Sequence, residues 1–412
     1  MRRRLLALAA AWLGTRAVML GLLASSHLPL LGGGAAAREV WRLYRHWYGA
    51  LAHGAFPSQD PLWQYPPGAG AVLLAPGALP WLTYFQAFVA LTLVADAAVA
   101  AALARAGLRP GRSLRGAALW TGGLPLLLHV PLVRLDVQVT ALAVASLLTL
   151  TRSPRESGGW AALGTLVKGW PALVLLGTPR GRATRTAWHW AAGTGVVALA
   201  LLATFFTHPL SFLRQQGDRG VQIESLGGTV LSLASHAGWR GSVGYRYGAL
   251  EYTGPYVAAV AGVSLGLTAA ALALLALWRV RAAVWTPATP YDAALSAVLL
   301  FTVTSRVLSP QYLVWLLGLA AVCLSSRHTV QRPAAALIVA ATAVTAVVYP
   351  LLYDEVRAHT WTGTALLLVR NGLLAAAAAV AFVRLWRAGR PRPEEPDGTA
   401  AERVPRRAAK TP

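Results

Sequence analysis

Cysteine is nearly absent: Cys323 is the only one in 412 residues. No intramolecular disulfide can form, and there is no cysteine metal site. Lysine is almost as scarce. Lys168 and Lys410 stand alone, so arginine supplies nearly all of the 37 basic residues. Only 15 Asp and Glu occur, and no cluster of them is fit to hold a metal. Charged residues are 13% of the chain, too few for an ordinary soluble domain. No internal repeat is visible, which argues against a transporter built from repeated halves.

What is present is apolar sequence, 56% hydrophobic with a mean hydropathy of +0.51. Runs of roughly 17–25 apolar residues recur, the length a helix needs to cross a bilayer. They predict spans near 5–27, 82–105, 115–133, 136–151, 187–207, 251–278, 290–306, 310–326, 333–353 and 362–386. The fold class is therefore an all-α polytopic membrane protein of about ten transmembrane helices. The net charge of +22 could suggest a nucleic-acid partner, but the arginines cluster between the apolar runs, as in cytoplasmic loops. No nucleic-acid partner is expected. The first run is read as an uncleaved span; a signal peptide cut near Ala24-Ser25-Ser26 is the alternative.

With the N-terminus inside, most of the 37 Lys and Arg fall in inner loops, and the two sizeable outer loops are about 28–81 and 208–250. Both termini are then cytoplasmic. This requires the stretch 158–178, which carries Lys168 and Pro171, to begin and end on the same side. It is read as a re-entrant helical hairpin with Lys168 at the tip; a single span with a snorkelling lysine is the alternative. Residues 1–386 form one membrane domain. The tail 387–412, rich in Pro, Arg and Glu, is read as a disordered basic cytoplasmic segment.

The outer loops collect the polar groups. In "EVWRLYRHWYGALAHG", Trp41, Tyr44, Tyr48 and Leu51 recur at helical spacing with Arg38, Arg42 and Arg45 off the stripe, which predicts an interfacial amphipathic helix. Glu39 lies in its first turn, where the helix dipole alone would favour a carboxylate. "WQYPPG", with Gln64 and Tyr65, is too proline-rich for a helix interior and is either a stiff aromatic wall over a cavity or a plain turn. Arg134 and Asp136 lie at the outer turn after the third span, where a structural ion pair between them is the bland reading. The second outer loop holds Arg214, Asp218, Arg219, Gln222 and Glu224. Gln222 and Glu224 alternate with Val221 and Ile223, as along one edge of an extended segment. Arg306, Gln311 and Tyr312 lie at a further outer turn, and Arg370 lies within the last span, where an arginine needs a partner or a cavity. The expected chemistry is a carboxylate base opposite cations that hold a phosphate.

The segments "EVWRLYRHWYGALAHGAFPSQDPLWQYPPG", "RLD", "VKGWP", "RGVQIES", "SRVLSPQYLVWL" and "LLVRNGLL", in this order, resemble bacterial glycosyltransferase family 87, the polyprenyl-phosphate-mannose-dependent mannosyltransferases of the GT-C membrane fold. The arginine, alanine and glycine excess fits an actinobacterial type. The resemblance implies a polyprenyl-phosphate sugar donor and transfer of a hexose, mannose by family, to a glycolipid or glycan acceptor on the outer face of the bacterial plasma membrane. No cofactor is implied. Glu39 takes the position of the family's aspartate base. Asp136 and Glu224 are fallback bases, and Lys168, Arg219 and Arg306 are the candidate phosphate cations. Gln64, Tyr65 and Gln311 would contact sugar or isoprenoid. Two rival classes stay open: a transporter or flippase for a lipid-linked sugar, and an inactive lipid-binding homologue.

Overall fold

The computed structural model describes residues 1–391 apart from 26, 29–30, 32–33 and 214–218. Arg214, Asp218 and the expected tail beyond 391 lie outside the described residues. The last helix runs to Ala388, two residues into the stretch assigned above to the tail, and Gly389 O beyond it accepts from Ala283 N at 2.8 Å.

The architecture is all-helical, with one small sheet. Among the described residues, six helices are long and apolar enough to cross a bilayer: Arg2–Ala24, Tyr84–Gly107, Arg182–Phe205, Val257–Arg281, Arg332–Leu351 and Trp361–Ala388. Four of the remaining expected spans are shorter or interrupted. Helices Asp136–Thr149, Thr289–Thr304 and Tyr312–Leu324 have 14, 16 and 13 residues. Every side chain from Leu313 to Cys323 is buried. A helix enclosed by other helices need not match the bilayer, which explains their length. The run 115–133 is not one helix. It is an α-segment, Arg115–Gly123, followed by two 3-10 turns at Leu124–Leu127 and Val130–Val133. Pro125 and Pro131 remove donors and bar a continuous helix there.

The stretch 158–178 is a hairpin with unequal arms. Helix Pro154–Lys168 rises to Gly169, whose φ of 46° ends it, and Trp170–Gly177 returns as a 3-10 helix. Both ends meet the same end of helix Arg182–Phe205. A Cβ on Gly158 would lie 2.1 Å from Ala187 O, so those backbones touch. Thr178 Oγ1 and Thr184 Oγ1 are 3.0 Å apart. Helices Pro154–Lys168 and Arg182–Phe205 are therefore parallel. Their far ends rest on the first loop, where Gly68 N donates to Leu166 O at 2.7 Å and Thr207 N donates to Gly54 O at 3.0 Å.

The first large loop forms the expected interfacial helix with a shifted register. Its buried stripe is Val40, Tyr44, Trp47 and Leu51, while Trp41 is 58% exposed. The observed stripe keeps α-helical spacing and differs from the expected one by a single residue at two of its four positions; its first turn, Glu39–Tyr44, is π-helical. In the second loop, Val221–Gln222 (β1), Ser242–Arg246 (β2) and Ala249–Thr253 (β3) form an antiparallel sheet of order β1-β3-β2. The span predicted from 251 therefore begins later, at Val257. The expected alternation of 221–224 does not separate two faces, since residues 221–225 are all buried between the sheet and the helices.

Candidate active site

Glu39 lies in the π-turn of the interfacial helix, facing the start of helix Asp136–Thr149. Arg134, in extended backbone just before that helix, pairs with Glu39 at 2.8 Å. It also donates to Ala36 O and Val133 O, both at 2.9 Å. One guanidinium thus ties the carboxylate and the first turn of the interfacial helix to the bundle. Arg134 and Asp136 do not pair with each other as their sequence proximity suggested. Asp136 is buried and takes Lys168 Nζ at 2.6 Å and Trp315 Nε1 at 2.6 Å, both on Oδ1.

Lys168 closes the hairpin helix, where a cation suits the helix C-terminus. Its ammonium lies 5.8, 5.2 and 5.0 Å from the ring centres of Tyr65, Tyr312 and Trp315. Cation–π attraction acts over these distances. Tyr312 stacks on Trp315 at 3.9 Å, and Trp170 stacks on the same Trp315 at 5.2 Å. "WQYPPG" completes the cage. Trp63 is buried against Trp47 and Phe56, the Pro66-Pro67-Gly68 turn docks on Leu166, and Tyr65 OH lies 3.3 Å from Tyr44 OH. Burial raises the pKa of the Tyr65 phenol, so Tyr65 acts as a neutral hydroxyl.

The second loop supplies another wall. Arg219 Nε lies 3.2 Å from Glu251 Oε1, and Gly220 N donates to Glu251 Oε2 at 2.9 Å. Gln222 clips the turn that carries Arg306. Its amide oxygen accepts from Leu308 N at 2.7 Å, its amide nitrogen donates to Ser309 Oγ at 3.2 Å, and its backbone N donates to Arg306 O at 3.0 Å. Burial and then the nearby Arg219 lower the pKa of Arg306, which an incoming anion would reverse. Arg370, fully buried in the last helix, donates to the Glu224 carboxylate at 2.8 Å and to Glu224 O. Burial raises the pKa of Glu224, and Arg370 opposes the shift.

These groups surround one cavity of about 1230 Å³. Its wall includes Glu39, Gln64, Tyr65, Arg134, Lys168, Arg219, Gln222, Glu224, Arg306, Gln311 and Tyr312. Asp136 and Arg370 are not on the wall; they stand behind it, as partners of Lys168 and Glu224. Sequence reasoning placed Arg42 off the buried stripe without assigning it to the site and left out His46; both continue the Arg38 face of the interfacial helix at i, i+4 and i+8, a spacing visible in the sequence. It also left out Asp60, Tyr245, Tyr349 and Tyr353. Nothing in the sequence marked Tyr245, which reaches the cavity only because β2 and β3 fold as a hairpin over it. Cations on the wall, Arg38, Arg42, Arg134, Lys168, Arg219 and Arg306, outnumber the carboxylates Glu39, Asp60 and Glu224. The volume admits a lipid-linked sugar, and the charge balance favours an anion.

The family model of glycosyltransferase family 87 matches residues 63–310, more than half of the chain. The chain belongs to glycosyltransferase family 87. This family-87 protein is thus a membrane glycosyltransferase. The matched segment contains Gln64, Tyr65, Arg134, Asp136, Lys168, Arg219, Gln222, Glu224 and Arg306, while Glu39, Gln311, Tyr312 and Arg370 lie outside it. Among solved structures, ArnT from Cupriavidus metallidurans in the apo state is similar over 92% of this chain and 78% of its own, at 16% identity and a TM-score of 0.45. None of the curated proteins matches the chain.

Proposed function

We propose that this family-87 enzyme transfers a hexose, mannose by family, from a polyprenyl-phosphate sugar to a glycolipid or glycan acceptor. The observation that carries the reading is that one cavity of about 1230 Å³ has Glu39 on one wall and Lys168, Arg219 and Arg306 on others. The acceptor hydroxyl gives its proton to Glu39. Its oxygen forms a bond to the anomeric carbon, and the bond from that carbon to the phosphate oxygen breaks. The electron pair leaves on polyprenyl phosphate. One displacement at one carbon inverts its configuration.

The cations then act where charge develops. A phosphomonoester leaving group gains negative charge as the bond breaks, and fixed cations in a partly enclosed site stabilise that charge. Arg219 and Arg306 share a wall, and Lys168 is held near them by Asp136 and three rings. Arg134 holds the Glu39 carboxylate at the cavity, where it can accept the proton. Leu173, Leu272 and Phe301 give the cavity an apolar side suited to isoprenoid units. The arginine distribution supports a site facing outward with both termini in the cytoplasm.

Purified protein given labelled polyprenyl-phosphate mannose and a membrane glycolipid extract tests the reading. Labelled sugar on an acceptor supports it. Donor moved across vesicles without transfer, or donor bound and nothing more, overturns it in favour of a flippase or a lipid-binding homologue respectively.

A further inference from the structure

A second cavity, of about 400 Å³, lies at the other end of the hairpin helix from Lys168, about 22 Å away along a 15-residue helix. Its wall is Arg152, Ser153, Pro154, Arg155, Arg182, Ala183 and Thr186. Three arginines line it, and among the described residues no carboxylate does. Glu156, the nearest acid in sequence, is exposed and outside the wall. No salt bridge among the described residues involves these three arginines. The hairpin creates the cluster: because it returns to its own side, helices Pro154–Lys168 and Arg182–Phe205 are parallel and start side by side, with Gly158 against Ala187. An ordinary antiparallel pair would put Arg155 and Arg182 at opposite ends.

The surroundings indicate where the anion comes from. Trp160, Trp188 and Trp190 are 37%, 40% and 48% exposed on the first turns of the same two helices, an aromatic belt of the kind found at a bilayer interface. The Arg155 guanidinium lies 5.7 Å over the Trp190 ring. Beyond the belt, the apolar window of helix Arg182–Phe205 is 0% buried and shows Val196, Val197, Leu201 and Phe205 to the surroundings. A charged pocket at headgroup level thus runs into an uncovered apolar face.

We propose that this pocket binds the phosphate of an anionic phospholipid, with the guanidiniums on the headgroup and the acyl chains along helix Arg182–Phe205. Bound there, the lipid ties the two parallel helices together at the base of the hairpin whose tip presents Lys168.

The test uses full-length protein in neutral detergent and reads Tm while phosphatidylglycerol, phosphatidylcholine or inorganic phosphate is titrated in. Phosphatidylglycerol should raise Tm, and the other two should not. In the variant R152Q/R155Q/R182Q the half-point should move to at least about tenfold more lipid. The corresponding Lys triple variant should stay near the parent. So should R105Q/R109Q/R115Q, which loses as much charge elsewhere. If the Gln triple variant does not fold, the three single Gln variants should each shift the half-point by about threefold. Equal shifts from both lipids, a full shift from phosphate alone, or an equal loss in the control variant would overturn the assignment. No glycosyl transfer is measured, so the outcome is independent of the proposed reaction.

Discussion

Lys168 Nζ lies 2.6 Å from Asp136 Oδ1, inside a cage of three aromatic rings, at the tip of a hairpin that stops short of crossing the bundle. The pair has two separable consequences. Asp136 offsets the cost of a charge at membrane depth, and it fixes the ammonium on the cavity wall.

Replacing Lys168 by Met removes the ammonium but leaves the Asp136 carboxylate buried, and breaking a buried pair this way costs about 3–5 kcal/mol. K168M should therefore lower Tm and also weaken donor binding, by about 10- to 100-fold for one lost charge-assisted hydrogen bond. The double variant K168M/D136N removes both charges. Its Tm should recover while donor affinity stays low. Donor affinity that recovers along with Tm would make Lys168 a structural residue only.

Gly68, the last residue of "WQYPPG", docks that motif on the hairpin. Its N–H donates to Leu166 O at 2.7 Å, and a Cβ there would lie 2.7 Å from the Leu166 carbonyl carbon. Gly68→Val should destabilise by about 1–3 kcal/mol through overpacking. It should also lift Tyr65 from Lys168 and reduce transfer more than Gly49→Val, since nothing lies within 4 Å of a Cβ at Gly49. Tm and turnover of the two variants check this; equal effects would remove the docking role of the motif.

The sequence carried six of the ten expected spans as long apolar helices, and the turn-back of 158–178, because apolar length and a central Gly-Trp-Pro report directly on helix length and interruption. It also carried most of the cavity wall as a set of polar residues on one face. It did not carry their pairing. Arg134 and Asp136 are two residues apart, yet their partners are Glu39 and Lys168, on elements far away in sequence. No local pattern encodes such contacts. The stripe of the interfacial helix was misread for a different reason: Val40, Tyr44, Trp47 and Leu51 fit a helical period as well as Trp41, Tyr44, Tyr48 and Leu51 do, so periodicity alone does not choose between the two sets. The sheet was missed because its strands are two and five residues long, and Tyr245 was missed with it.

The proposed outward orientation of the site is checked by thiol labelling in intact cells. Cys323 is fully buried, so the native thiol should be silent and need not be replaced. Single cysteines at Gln59 and Ser242, both exposed, should react with an impermeant reagent, and one at Thr399 should not. Labelling at Thr399 with silence at Gln59 and Ser242 would reverse the orientation and move the cavity to the cytoplasmic side.

Glu39 is the residue on which the proposed reaction turns. Glu39→Gln keeps an oxygen for Arg134, so the protein should fold with a modest loss of Tm. The amide cannot take the acceptor proton, so turnover should fall by about 100-fold or more while donor binding changes little. Glu39→Asp is the sharper test. The 2.8 Å contact shows a pocket fitted to glutamate: Arg134 reaches the longer side chain while it also holds Ala36 O and Val133 O, and it cannot follow a retreating carboxylate without releasing them. Aspartate should therefore lower turnover, because a displacement of about 1 Å can cost about 100-fold. A Gln variant that turns over normally would move the base to Glu224 or Asp136. Of these, Glu224 lies on the wall but is tied to Arg370, and Asp136 lies behind Lys168. A parent protein inert with every acceptor, yet active as Glu39→Asp, would mean that glutamate at this position has disabled the site, and that the chain binds lipid-linked sugar without transferring it.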